Sequence, residues 1–211
     1  MPSPRRVGSE TSKTRDALLD SAERLMLDRG YAAVTYRNVA ASGGVYAGLV
    51  SYYFPTLDDL FLALLRRRSE RNLDRLVASL DARFDEPLRV VWEFNTDESS
   101  AALIMEFLAL ANHRKSIKAE ITEVTRRVRK VQLEAIERHW SRCRMPDEMS
   151  PGTLLFLMAT VPKMLQLEES VGICEAHTDT IRLVEHYLDD VEPKRPGRNG
   201  ARRRPSARAT A

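Results

Sequence analysis

The sequence predicts an all-α protein, and three observations predict it. Apolar residues recur at helical spacing in most of the 211 residues. Glycine and proline fall between these periodic stretches and seldom inside them. No segment alternates apolar and polar residues as a half-buried strand would, and no repeat of fixed period is visible.

The first helix is marked by Leu18, Leu19, Ala22, Leu25 and Met26, which follow one helical face, and Gly30 suits its C-terminal cap. Thr35 suits the N-cap of a short second helix reaching Ser42, and Gly43-Gly44 makes a turn. A third helix is expected from Tyr46 to Tyr53. Pro55 stops it, and Thr56 or Asp58 opens a long fourth helix to about Arg83. Further helices are expected over 86–94, 97–114, 117–143, 150–171 and 176–190, with breaks at Pro87, 95–97, Met145-Pro146 and Val171-Gly172. Pro162 should kink the helix over 150–171. His113, with Arg114 and Lys115, suits capping of the carbonyls at a helix end.

The spacing of Val39, Ala40, Gly44, Val45 and Val50 is that of a helix-turn-helix, about residues 34–53. A small Ala40 lets two helices approach, and Gly44 permits a left-handed backbone angle. The three valines point inward. The remaining face of the third helix, Tyr46, Ala47, Leu49, Tyr52 and Tyr53, is then outward, almost uncharged and rich in tyrosine. Such a helix fits the major groove, where small and aromatic side chains meet thymine methyls and tyrosine hydroxyls bond phosphate oxygens. Core packing is the competing reading for these tyrosines, most of all for Tyr53.

On these residues the chain resembles the TetR family of transcriptional regulators. The likeness covers about residues 11–71, through TRDALLDSAERLMLDRGY, VTYRNVAASGGVYAGLVSYYF and PTLDDLFLALL, without insertion. Two positions depart from the family pattern. Tyr46 stands where a capping serine is usual, a loss of about 0.5–2 kcal/mol if nothing replaces it. Leu57 stands where a phosphate-binding lysine is usual. The resemblance implies a division into an N-terminal arm (1–10), a DNA-binding domain (11–71), a ligand-binding and dimerisation domain (72–192) and a basic tail (193–211). It implies that Thr35, Tyr36 and Arg37 meet the DNA backbone or groove edge. Tyr46, Ala47, Gly48, Leu49 and Tyr52 would then face bases and phosphates, with Tyr53 beside them. It also implies an apolar ligand cavity, for which Trp92, Phe94, Met105, Phe107, Leu108 and Trp140 are candidates, and a homodimer. The candidate dimer faces are Leu154, Leu157, Met158, Val161, Leu165 and Glu168 on one helix, and Ile181, Val184, Tyr187 and Leu188 on the other. Core packing competes with each of these assignments.

The implied function is that of a regulator, expected to repress, which binds a palindromic operator in double-stranded DNA as a homodimer and is released by a small, apolar effector. The alternatives are a regulator controlled by a protein partner, or a small-molecule binding protein without an operator. No cofactor or metal is expected. The sequence holds neither a phosphate-binding glycine loop nor Gly-x-Ser-x-Gly, and its four histidines are scattered. Cys174 and His177 supply two metal ligands at most. Nothing resembles a secretory signal, and the apolar run over 154–165 is too short to span a bilayer, so a cytoplasmic protein without membrane contact is expected. The two cysteines, Cys143 and Cys174, are then expected as buried thiols. The tail from Pro193 to Ala211 carries seven basic residues and no acid, which leaves −4 on the rest of a chain whose total is +3. Its Pro, Gly and Arg content predicts disorder.

Overall fold

The computed structural model describes residues 13–192. The expected N-terminal arm and the basic tail lie outside the described residues. Within them the chain is helical and contains no strand. Helix α1 spans Lys13–Arg29, and Gly30 ends it with φ 77° before a single 3-10 turn at Tyr31–Ala33. Helices α2 (Tyr36–Gly43) and α3 (Ala47–Tyr53) follow. Then comes the long α4 (Leu57–Ala82). Helices α5 (Pro87–Asn95), α6 (Glu98–Ala111), α7 (Lys115–His139), α8 (Pro151–Ser170) and α9 (His177–Val191) complete the order.

Local chemistry explains the boundaries. The Thr35 hydroxyl accepts the Asn38 N–H at 3.2 Å, which satisfies a first-turn donor of α2. Of the two candidates for opening α4, the structure selects Thr56. Its hydroxyl accepts the Asp59 N–H at 3.1 Å, while the Asp59 carboxylate accepts the Thr56 N–H at 2.9 Å, a reciprocal capping box. Helix α8 starts on the Ser150 hydroxyl, which accepts from Thr153 N–H at 3.1 Å, and it runs as one helix through the buried Pro162.

Two apolar cores hold these helices. The first joins Leu18, Leu19 and Met26 of α1 to Val39, Val50 and Phe54, and to Leu60, Phe61 and Leu64 of α4. Leu103, Phe107 and Leu110 of α6 and Ile117 of α7 also enter it. The second joins Leu76 and Leu80 of α4 to α5, the end of α7, α8 and α9. Helix α4 therefore belongs to both cores, and the expected boundary at 71/72 falls inside it.

Three expectations need correction. Cys174 is exposed and Cys143 only partly buried, both as free thiols, because Cys174 lies in the loop between α8 and α9. Arg114 does not cap α6. That helix ends at Ala111, and Arg114 reaches across to an ion pair with Asp58 at the start of α4. Helix α7 begins at Lys115 and gives way after His139 to a 3-10 turn, Trp140–Arg142, so the helix expected over 117–143 is shifted towards the N-terminus. Among the described residues, no helix is long and apolar enough to cross a membrane.

Candidate nucleic-acid interface and cavity

The helix-turn-helix is assembled from residues that have little alternative. Val39 and Ala40 are buried, and the small Ala40 sits where α2 meets its neighbours. Gly44 adopts φ 67°, a left-handed angle at which a side chain is strained, and Val45 N–H closes the turn on the Ala40 carbonyl at 3.0 Å. Val50 is fully buried and fixes the rotation of α3 about its own axis.

That rotation decides what α3 shows to solvent. Tyr46 (71 % exposed), Ala47, Gly48, Ser51 and Tyr52 (45 % exposed) lie outward, and Leu49 is half-buried. Tyr53 packs against the first core, edge-to-face with Tyr52 at 5.3 Å between ring centres. Tyr46 caps α3 by position only, since its side chain makes no cap hydrogen bond, in keeping with the departure noted in the sequence. Its ring lies over Gly48: a Cβ there would stand 3.2 Å from two ring carbons. Ser51 was not anticipated. It follows Gly48 by three residues and so shares its face, but a lone serine carries no signal of its own.

The start of α2 is mixed. Arg37 is exposed. Thr35 is half-buried and its oxygen caps the helix. Tyr36 is half-buried against the first core, and its hydroxyl donates to the Phe54 carbonyl at 2.9 Å. Burial, and secondarily the charge of Asp59, raise the Tyr36 phenol above its usual range. Tyr36 thus ties α2 to the end of α3. Leu57 packs against the first core, an apolar job that a lysine there would not do.

A second feature lies among α4, α6, α7, α8 and the end of α5: a cavity of about 420 Å³. Phe94, Met105, Phe107 and Leu108 line it, as expected. Trp92 and Trp140 do not. Trp92 is 5 % exposed and belongs to the second core, and Trp140, in the 3-10 turn after α7, packs against that same core. The polar lining escaped the sequence reading. Arg68, Arg129, Gln132 and Lys163 all border the cavity. Gln132 is 1 % exposed, and its amide nitrogen has no hydrogen-bond partner. Burial, with the nearby charge of Arg129, lowers the Lys163 ammonium below its usual range.

The candidate dimer residues divide likewise. Leu157 and Ile181 are exposed, and Leu165 and Glu168 are half-buried. Leu154, Met158 and Leu188 lie in the chain's own second core, with Val161, Val184 and Tyr187 packed against it. Helical spacing locates an apolar face without saying which neighbour covers it. Phe156, Val171, Ile173 and Leu183 are apolar and exposed on or between the same two helices, and had not been anticipated.

Comparison with known proteins agrees with this geometry. Residues 18–64 match the family model described as bacterial regulatory proteins, tetR family. The chain is 31% identical over 83 residues to an HTH-type transcriptional repressor, BepR, of Brucella suis, an alignment covering 39% of each chain. It is 35% identical over 77 residues to the HTH-type transcriptional regulator BetI of Rhizobium meliloti, covering 36% of this chain and 37% of BetI. The matched segments thus span about two fifths of these relatives. The whole fold is similar to that of a putative transcriptional regulator from Saccharomonospora viridis, solved with choline, at a TM-score of 0.68 and 20% identity, covering 85% of this chain and 95% of that one. The helix-turn-helix thus lies inside the segment that matches the tetR family model, and the likeness in fold to solved regulators extends over the rest of the described chain.

Proposed function

We propose that this protein is a dimeric repressor that binds a palindromic operator through α3 and leaves it when a small molecule fills the cavity. The observation that carries the reading is the outward face of α3. It is uncharged, aromatic and small, and it is held rigidly by Val50, the Gly44 turn and the Tyr36–Phe54 hydrogen bond. A short helix held this firmly is suited to reading base edges. Around it, Arg37 and the hydroxyls of Tyr46 and Tyr52 supply backbone contacts. The exposed apolar residues of α8 and α9 supply a surface for a second copy, with Leu157, Ile181 and Leu183 at its centre. The cavity supplies the effector site. It is bounded by α4, which runs on into the DNA-binding core.

Selection of bound sequences from random duplex DNA, followed by footprinting, tests this reading. The expected product is a two-fold symmetric site whose half-sites lie about one helical turn, roughly 34 Å, apart. An asymmetric site protected by one copy of the chain refutes it.

A further inference from the structure

We infer that the cavity selects an amphipathic organic anion, with an apolar body along Phe94, Met105 and Leu108 and an acceptor head held by Gln132, Arg129 and Lys163. The inference rests on the reading of the cavity as an effector site and names the chemistry of what it takes. Three observations support it. The first is Gln132, buried on the cavity wall with an amide nitrogen that no protein atom satisfies. A buried donor without a partner costs about 1–3 kcal/mol, and an acceptor in the cavity removes that cost.

The second is the balance of charge. Three cations, Arg68, Arg129 and Lys163, border the cavity against one carboxylate, Asp97. That carboxylate is held by Arg75 at 3.2 Å, outside the lining. Arg68 is matched by Glu23 at 3.3 Å. Among the described residues, Arg129 and Lys163 have no ion-pair partner. The third is placement. Arg129 and Gln132 are three residues apart on one face of α7, and Lys163 faces them from α8, near enough for the Arg129 charge to act on its ammonium. The rest of the wall is chiefly aliphatic and aromatic. A neutral apolar compound leaves two like charges facing each other and the Gln132 donor unmet. A cation adds a further like charge. A carboxylate or similar head answers all three groups, and charge-assisted hydrogen bonds of this kind are the strong ones.

Calorimetry on the full-length protein tests the inference with decanoate, decanol and decyltrimethylammonium, each below its micellar concentration. Decanoate is expected to bind about tenfold or more tightly than either of the others. The double variant R129M/K163M, altered at two exposed residues, should lower decanoate affinity by about tenfold or more and leave decanol unchanged. Arg127→Met, an arginine of α7 outside the lining, should change neither. The inference is overturned if decanol or the ammonium equals decanoate, if the double variant binds decanoate normally, or if none of the three binds. Decanoate that binds as expected yet leaves the selected operator occupied refutes the effector reading and supports the anion inference. Operator release by a neutral or cationic compound, with no binding of decanoate, does the reverse.

Discussion

The Tyr46 ring lies close over Gly48, two ring carbons 3.2 Å from where a Cβ would stand. Gly48→Ala improves helix propensity by up to about 1 kcal/mol, yet the added methyl crowds the exposed Tyr46 ring and shifts it. The expected result is an unchanged or slightly raised melting temperature with weaker operator binding, measured by thermal unfolding and fluorescence anisotropy. Tyr52→Phe removes only a hydroxyl. If that hydroxyl holds a phosphate, affinity falls by about 0.5–1.5 kcal/mol, equally for all sequences. A change in the preferred sequence contradicts that role. Glu192 is a different kind of residue. Its carboxylate accepts the Leu88 and Arg89 N–H groups, each at 2.9 Å, while burial pushes its pKa up from 4.5 to about 7 against the pull of those donors and of Arg89. An acid raised in the folded state adds stability at low pH. That stability is full below about 4.5 and is lost as pH rises through about 7, a change of roughly 3 kcal/mol at the limit. Asp189, Glu86, Arg89 and Cys143 share its surroundings. The informative quantity is therefore the difference between wild type and Glu192→Gln in urea unfolding from pH 5 to 8. The wild type should lose stability relative to the variant as pH rises, and parallel curves contradict the assignment.

Helix ends separate what was legible in the sequence from what was not. Thr35, Gly44, Pro55 and Thr56 act on backbone groups within five residues of themselves, so the order of letters contained the answer. Thr56→Ala removes one half of the capping box at α4 and should cost about 0.5–2 kcal/mol in chemical denaturation. Helix α5 follows another rule. Glu86 at its start makes no side-chain cap, and the first-turn donors are met by Glu192, more than a hundred residues later. No local pattern announces such a cap. The same distance hid Arg68, Arg129, Gln132 and Lys163, four polar residues on three helices that become neighbours only around the cavity. It also misplaced Trp92 and Trp140, whose size predicts burial but does not say in which core. In the helix-turn-helix, by contrast, short loops leave one packing of α2 against α3, and Val39, Val50 and Tyr46 took their expected sides.

At the scale of the molecule, α4 is 26 residues long, about 39 Å, and joins both cores. A tilt of about 5° at one end displaces the other by roughly 3 Å, which is enough to spoil a fit to the groove. The surface of α8 and α9 carries the remaining prediction. Ile181→Asp together with Leu183→Asp should convert a particle of twice 24.0 kDa to one of 24.0 kDa in light scattering, with loss of operator binding but retained helical circular dichroism. A dimer that persists means the copies meet elsewhere. Around the first core, polar contacts tie the DNA-binding helices and α4 to one another and to α6 and α7: Arg67 to Asp20 at 2.8 Å, Asp58 to Arg114 and Ser116, and the Tyr31 N–H to Glu106 at 2.7 Å. The last of these has a practical use. The amide at Tyr31 owes its shielding to one carboxylate of α6, Glu106, and not to a helical ladder, so its hydrogen exchange acts as a clock for the parting of the helix-turn-helix from α6. If effector makes that single amide exchange faster while those of α2 and α3 stay slow, the helix-turn-helix leaves DNA as an intact body, swung away without melting.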